Sequence, residues 1–454
     1  MSRSTPFLAA LAFVTFARVP AAPQQVAPTP PLGWNSWDAY GLTIDEADYR
    51  ANVQVLASLK QYGWKYAVID EGWYMQDPFA DKLETKKYVW DANGNLIPAV
   101  SRFPSSANGA GFKPLSDWVH AQGLKFGIHI IRGIPKQVVK ENLPIAGTSF
   151  HAQDAADIPA TCPWDDGNYG VSDTPAGQAY FDGMFKLFAA WGLDYVKVDC
   201  VSDHPYRPTE IRQIAEAIRK TGRPMVLSLS PGPTAIEHAA EVSKYAQMWR
   251  ITDDHWDYWL PKKQNSEFPF GLSEEFDRIA KWNPYVKPGS WPDPDMLPEG
   301  SLMPHPGEGQ ARISRYTHDE QRTEFTLWAI SRSPLIFGGN LTKVDDFTRS
   351  LLTNGEVLEI NQKSVASGPA LMPMNDGRPL PWRAWYARTA KGKTWLAVFN
   401  TSDQAGTWEV AWLSFHLADQ PHAVFDIYNQ KHLSAAKTLH VELPPHGCAL
   451  FRVE

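Results

Sequence analysis

In "LDYVKVDC" (residues 193–200) apolar and polar positions alternate, so Val196 and Val198 share one face of a strand while Lys197 and Asp199 share the other. Charges are expensive on a strand otherwise suited to burial, so that face must meet polar partners. The pattern recurs. "VIDEGW" ends with Asp70 and Glu71, "MWRITDD" carries Arg250, Asp253 and Asp254, and "GSWPDPDML" carries Asp293 and Asp295. Arg250, Thr252 and Asp254 again fall on one face. Several carboxyl groups beside two cations suit hydrolysis of a glycosidic bond, which needs one ionised and one protonated carboxyl as the bond breaks. Lys197 would hold Asp199 ionised as a nucleophile, and neighbouring acids with limited solvent would keep Asp254 partly protonated as the proton donor. Arg250 pulls Asp254 the other way.

The elements that must position these residues are legible too. Extended runs at 32–37, 66–73, 125–131, 195–200, 224–230, 248–254, 289–297 and 334–339 alternate with amphipathic stretches such as "DEADYRANVQVLASLKQYG" and "PTEIRQIAEAIRKTG". Eight strand-then-helix units predict an α/β fold, a parallel (β/α)8 TIM barrel, with its active site at the carboxyl ends of the strands. After "VLEINQKSVASG" the texture changes to closely spaced strands rich in aromatic and β-branched residues, "WRAWYART" and "KTWLAVFNTS" among them. They predict a C-terminal antiparallel β-sandwich. The expected organisation is a signal peptide at 1–24, a catalytic barrel at 25–365 and the sandwich at 366–454.

Composition narrows the function. A net charge of -7 with no Lys/Arg run gives no footprint for nucleic acid. The N-terminal "MSRSTPFLAALAFVTFARVPAAPQQ" reads as a secretory signal, and no later run is apolar for the roughly 20 residues a membrane span needs. A secreted or periplasmic protein that takes a carbohydrate substrate is expected, with no membrane partner and an oligomeric state the sequence leaves open. None of the 13 histidines stands in a zinc-ligand spacing, and no Gly-rich phosphate loop follows a strand, so neither metal nor cofactor is expected. Of Cys162, Cys200 and Cys448, the first two are the candidate bridge, with three buried thiols as the alternative. Asn340 and Asn400 stand in N-x-[ST] sequons.

Residues 31 to about 365 resemble glycoside hydrolase family 27, the α-galactosidase and α-N-acetylgalactosaminidase family of retaining enzymes, and the terminal sandwich matches as well. The likeness rests on "PPLGWNSW", "VIDEGW", "YVKVDC", "WRITDD", "PDPDML" and "LWAISRSPLIFGGNL". It implies Asp199 as nucleophile and Asp254 as acid/base, with Trp37 as the hydrophobic wall of the sugar pocket. Asp70 and Glu71 would bind hydroxyls 4 and 6, Lys197 hydroxyls 3 and 4, and Arg250 with Asp295 hydroxyl 2. His129 is expected to touch substrate. Removal of terminal α-D-galactosyl residues is the leading expectation.

Three departures bear on the sugar. Glu71 stands where the family usually has Asp, crowding the place of the hydroxymethyl group and favouring a β-L-arabinopyranoside. His129 replaces a common Tyr. "LSLSPGP" replaces a Cys-Glu-Trp segment, and small Ser228 and Ser230 leave room for an N-acetyl group. N-acetylgalactosaminides, β-L-arabinopyranosides and dextran-type α-glucosides therefore stand as alternative substrates. A carbohydrate-binding protein without catalysis would lack one of the two principal acids, and both are present.

Overall fold

The computed structural model describes residues 26–79, 87–262, 268–303, 309–371 and 381–454, with the backbone of 374–375 and 378–379. The expected signal segment lies outside them.

Eight parallel strands form one curled sheet: β1 Leu32–Asn35, β2 Tyr66–Ile69, β3 Lys125–Ile131, β4 Tyr195–Asp199, β5 Val226–Leu229, β6 Met248–Arg250, β7 Trp291–Asp293 and β8 Leu335–Phe337. Their order is β7-β6-β5-β4-β3-β2-β1-β8. A parallel bridge between Leu297 and Phe337 joins the two edges, the Leu297 N–H donating to the Ile336 carbonyl at 2.8 Å. The barrel is thereby closed. Each predicted strand lies on an observed one; β3 ends where expected, and the others stop one to four residues earlier, where the chain turns into the mouth.

Period-two alternation sorts the core. Tyr66, Val68, Tyr195, Val226, Met248, Trp291 and Ile336 fill the barrel interior, whereas Ala67, Ile69, Val196, Val198 and Leu227 face the surrounding helices. Those helices start on local signals. Thr174 caps Pro175–Trp191 by accepting from the Gly177 N–H, and Thr317 with Glu320 forms a reciprocal capping box on His318–Ile330. Glycine is required after β8: a Cβ on Gly338 would lie 1.8 Å from Asp38 Oδ2.

The C-terminal part holds β9 Ser364–Pro369, β10 Trp382–Thr389, β11 Thr394–Asn400, β12 Gly406–Ala411, β13 His422–Asp426, β14 Lys431–Ala436, β15 Thr438–Leu443 and β16 Cys448–Val453. Six strands pair as β9-β10-β11-β16-β13-β14, and β12 pairs with β15. On β11, Trp395, Ala397 and Phe399 join the barrel's core, while Leu396 and Val398 join the sandwich's own core with Val410 and Val441. The larger sheet is thus buried on both faces. The sequence reading missed β9 and β14, and also a three-stranded excursion after β3 made of Ile134–Pro135, Ala156–Thr161 and Asn168–Val171.

Cys162 and Cys200 are bridged, with Cα atoms 6.1 Å apart, and Cys448 is free and buried. Both sequon asparagines are used inside the fold. The Asn340 amide is buried and donates to the Tyr40 hydroxyl, and Asn400, 0% exposed, donates to the carbonyls of Gln404 and Pro444. Among the described residues no helix is long and apolar enough to cross a membrane.

Phe399 is fully buried with its ring 5.2 Å from Phe276 of the barrel. Phe399→Ala is expected to lower stability by about 3–5 kcal/mol in urea unfolding, as cavity formation demands. A loss below about 1 kcal/mol would show that the interface carries little of the fold's stability.

Candidate active site

The ends of β1 to β4 bring one charged cluster together. Lys197 Nζ lies 3.1 Å from Asp70 Oδ2, which also accepts from Asn35 Nδ2 at 2.6 Å. His129, beside Lys197 in the β3–β4 register, places Nε2 3.3 Å from Asp199 Oδ2 and 4.0 Å from Asp70 Oδ1. The Cys200 N–H donates to Asp199 Oδ1 at 2.7 Å, from a residue held at φ 64°. The direct partner of Lys197 is Asp70, and the cation touching Asp199 is His129. With 1% exposure, His129 stands behind the acids rather than on the cleft wall.

Charge balance explains the protonation states. Burial alone would raise Asp70, but Lys197 and then His129 outweigh it and hold its carboxyl at about 2. Burial likewise opposes ionisation of Asp199, and the His129 hydrogen bond and charge, followed by Lys197, pull it below its usual value. Lys197 is raised against its own burial by Asp70 and Asp199, and His129 is raised against its burial by Asp70 and the Asp199 bond. Asp70 and Asp199 are thus held ionised, with Lys197 charged beside them and His129 shifted towards its charged form.

The opposite wall, at the ends of β6 and β7, has one cation for several acids. Arg250 Nη2 pairs with Asp295 Oδ2 at 2.7 Å and reaches Asp254 Oδ1 only at 3.4 Å. Asp295 also accepts from the His255 N–H at 2.9 Å. Burial pushes Asp254 up to about 7; Arg250 opposes this, and Asp295 and Asp253 add to it. Asp293 is driven to about 7 by burial. The competition left open by the sequence resolves towards a protonated Asp254, because the strong arm of Arg250 is taken by Asp295.

Between the walls lie two connected chambers. The inner, of about 90 Å³, is bordered by Trp37, Asp70, Lys197, Asp199, Asp254 and Asp295, among others. The outer, of about 470 Å³, shares Trp37, Glu71, Trp164, Asp199 and Asp254 with it and adds His204 and Asp253. Glu71 borders both, and burial lifts its carboxyl to about 8. Ser228 does not border either chamber; it is 2% exposed and hydrogen-bonded to the Tyr195 phenol in the barrel interior.

Sequence reasoning missed several wall residues. Asp38, directly after Trp37, is buried, borders the inner chamber and is raised well above its ordinary value by burial and by Asp295. Its signal was an acid following an aromatic at a strand end. Trp164 and Asp165 come from the excursion after β3, and their nearness to Cys162 was the available clue. Trp256 and His255 follow Asp254 directly. Among the described residues no group of three His, Cys, Asp or Glu side chains is arranged to hold a metal ion.

These assignments predict an order of titration. In carboxyl-labelled protein followed by carbon NMR, Asp254 should titrate near pH 7 and Asp199 below its ordinary range. His129→Asn should move Asp199 upward, since it removes the nearest cation. Asp199 titrating above Asp254 would contradict the charge account.

Comparison with known proteins agrees with this architecture. The family model described as alpha galactosidase A matches residues 162–363, and that of the alpha galactosidase C-terminal beta sandwich domain matches 381–453. Alpha-galactosidase A of Cellvibrio japonicus is 29% identical over 449 residues, covering 95% of this chain and 93% of that protein. Alpha-galactosidase 2 of Arabidopsis thaliana is 27% identical over 437 residues, covering 94% of this chain and 89% of that one. A solved family-27 β-L-arabinopyranosidase of Geobacillus stearothermophilus superposes with a TM-score of 0.87 at 41% identity, covering 94% of this chain and 97% of its own. A match of that extent, on a barrel whose strand ends gather these acids, shows that the chain belongs to glycoside hydrolase family 27 and is a glycoside hydrolase.

Proposed function

We propose that the protein is a retaining exo-glycosidase acting on terminal sugars of galacto configuration, with β-L-arabinopyranosides as its preferred substrates. A β-L-arabinopyranoside has the ring geometry of an α-D-galactoside without the hydroxymethyl group at carbon 5.

The mechanism is supported by two acids that border one cleft in different surroundings, Asp199 with His129 and Lys197 beside it and Asp254 raised by burial, with Arg250 only at 3.4 Å. Asp199 attacks the anomeric carbon while Asp254 gives its proton to the departing glycosidic oxygen. A glycosyl ester on Asp199 results. Water then enters, Asp254 takes its proton, the new C–O bond forms and the ester bond to Asp199 breaks. Lys197, Asp70 and Asp295 bind ring hydroxyls, Arg250 orients Asp295 from behind the wall, and Trp37 offers an apolar wall to the ring's C–H face.

Preference for the smaller sugar rests on Glu71. Its side chain is one methylene longer than the aspartate usual at this family position, and it borders an inner chamber of only about 90 Å³. Protonated at neutral pH, it presents a donor without needing a cationic partner. The Geobacillus β-L-arabinopyranosidase, at 41% identity, is consistent with this choice. α-D-Galactoside hydrolysis is the second reading, favoured by the α-galactosidases among the relatives. N-acetylgalactosaminides gain nothing from Ser228, which lies beneath the cleft rather than on its wall.

On aryl glycosides, kcat/KM should be higher for β-L-arabinopyranoside than for α-D-galactoside, by roughly the 10- to 200-fold that one misfitted group allows. Glu71→Asp should narrow or invert that ratio. A wild-type preference for the galactoside would favour the second reading. Asp199→Ala should abolish turnover, with partial rescue by azide or formate; near-normal activity would refute the nucleophile. The kcat/KM profile should fall as pH rises through about 7, where Asp254 loses the proton it must donate. No alkaline fall within about two units above that value would contradict its role.

A further inference from the structure

The outer chamber carries an aromatic that the reaction at the anomeric carbon does not require. Trp164 remains 48% exposed beside the two principal acids, its ring edge-on to His204 at 6.0 Å. A large indole left half in water on a cleft wall has an apolar face available to a ligand ring. Asp165 and Asp253 border the same chamber and supply acceptors.

The segment bearing Trp164 is fixed relative to Asp199. Cys162, two residues before it, is bridged to Cys200, one residue after Asp199. Buried Arg132 ties the same two segments, Nε donating to the Cys200 carbonyl at 2.8 Å and Nη2 to the Thr161 carbonyl at 3.1 Å. Glu210 pairs with Arg132 Nη1 at 2.9 Å. A wall anchored this way keeps its distance from the reacting centre, as a subsite requires.

We infer that Trp164 and its neighbours form a leaving-group subsite, in which the indole stacks on the pyranose ring whose hydroxyl is released. A sugar fits better than a plain aromatic aglycone, because Asp165 and Asp253 accept hydrogen bonds that only a hydroxylated ring donates. The glycosyl unit fills the inner chamber and its neighbour in the chain fills the outer one. This assignment builds on the proposed exo-glycosidase and adds what stands on the other side of the cleaved bond.

The test compares two substrates sharing one glycosyl unit, a glycosyl fluoride and a disaccharide. Turnover of the fluoride by the wild type is read first and tests the proposed function by itself. Trp164→Ala should then lower kcat/KM on the disaccharide roughly tenfold more than on the fluoride, the size expected for one lost ring stack. Trp164 also borders the inner chamber, but any loss there affects both substrates and cancels in the ratio. Trp164→Phe, which keeps an aromatic face, should restore most of the ratio. An unchanged ratio in Trp164→Ala, or equal ratios in the Ala and Phe variants, would overturn the subsite.

Discussion

The site depends on a shortage of positive charge in a place with little water. Lys197, His129 and Arg250 face Asp38, Asp70, Glu71, Asp199, Asp254, Asp293 and Asp295 around one barrel mouth. Close pairing claims the cations for Asp70, Asp199 and Asp295. The remaining carboxyls have no equivalent partner, and burial pushes Asp38, Glu71, Asp254 and Asp293 upward. Chemically identical aspartates thus divide into ionised and protonated members by position alone.

That division answers why a buried strand carries Lys197 and Asp199. Each would be costly alone. Together with Asp70 and His129 they form two opposed pairs, and the barrel's parallel register is what brings residues of β2, β3 and β4 to one level. Val196 and Val198 seal the other face of β4 against the helices. The same alternation that builds the core aims the chemistry.

The eight strands and their acids were legible because period-two alternation and polar strand ends are local signals. Asp199, Asp254, Asp70, Lys197 and Asp295 all border the cleft for that reason, with Arg250 directly behind Asp295. What escaped depends on contacts across the chain. The role of His129 as neighbour of Asp199 follows from β3 lying between β2 and β4, and the partner of Arg250 is decided by a 2.7 Å approach that no spacing reports. Ser228 was placed on the wall because β5 ends near the mouth, but its side chain lies in the interior beneath it. Trp164 and Asp165 sit on an irregular excursion whose position is set by the Cys162–Cys200 bridge and by Arg132.

In the proposed mechanism Asp199, kept anionic by His129 and Lys197, forms the bond to sugar. It is tested most directly by incubating the protein with a 2-deoxy-2-fluoro glycosyl fluoride of arabino or galacto configuration, then digesting it and weighing the peptides. One fluoroglycosyl unit is expected on the peptide containing Asp199. A label on another carboxylate, or turnover of ordinary substrates with no trapped ester, would contradict it.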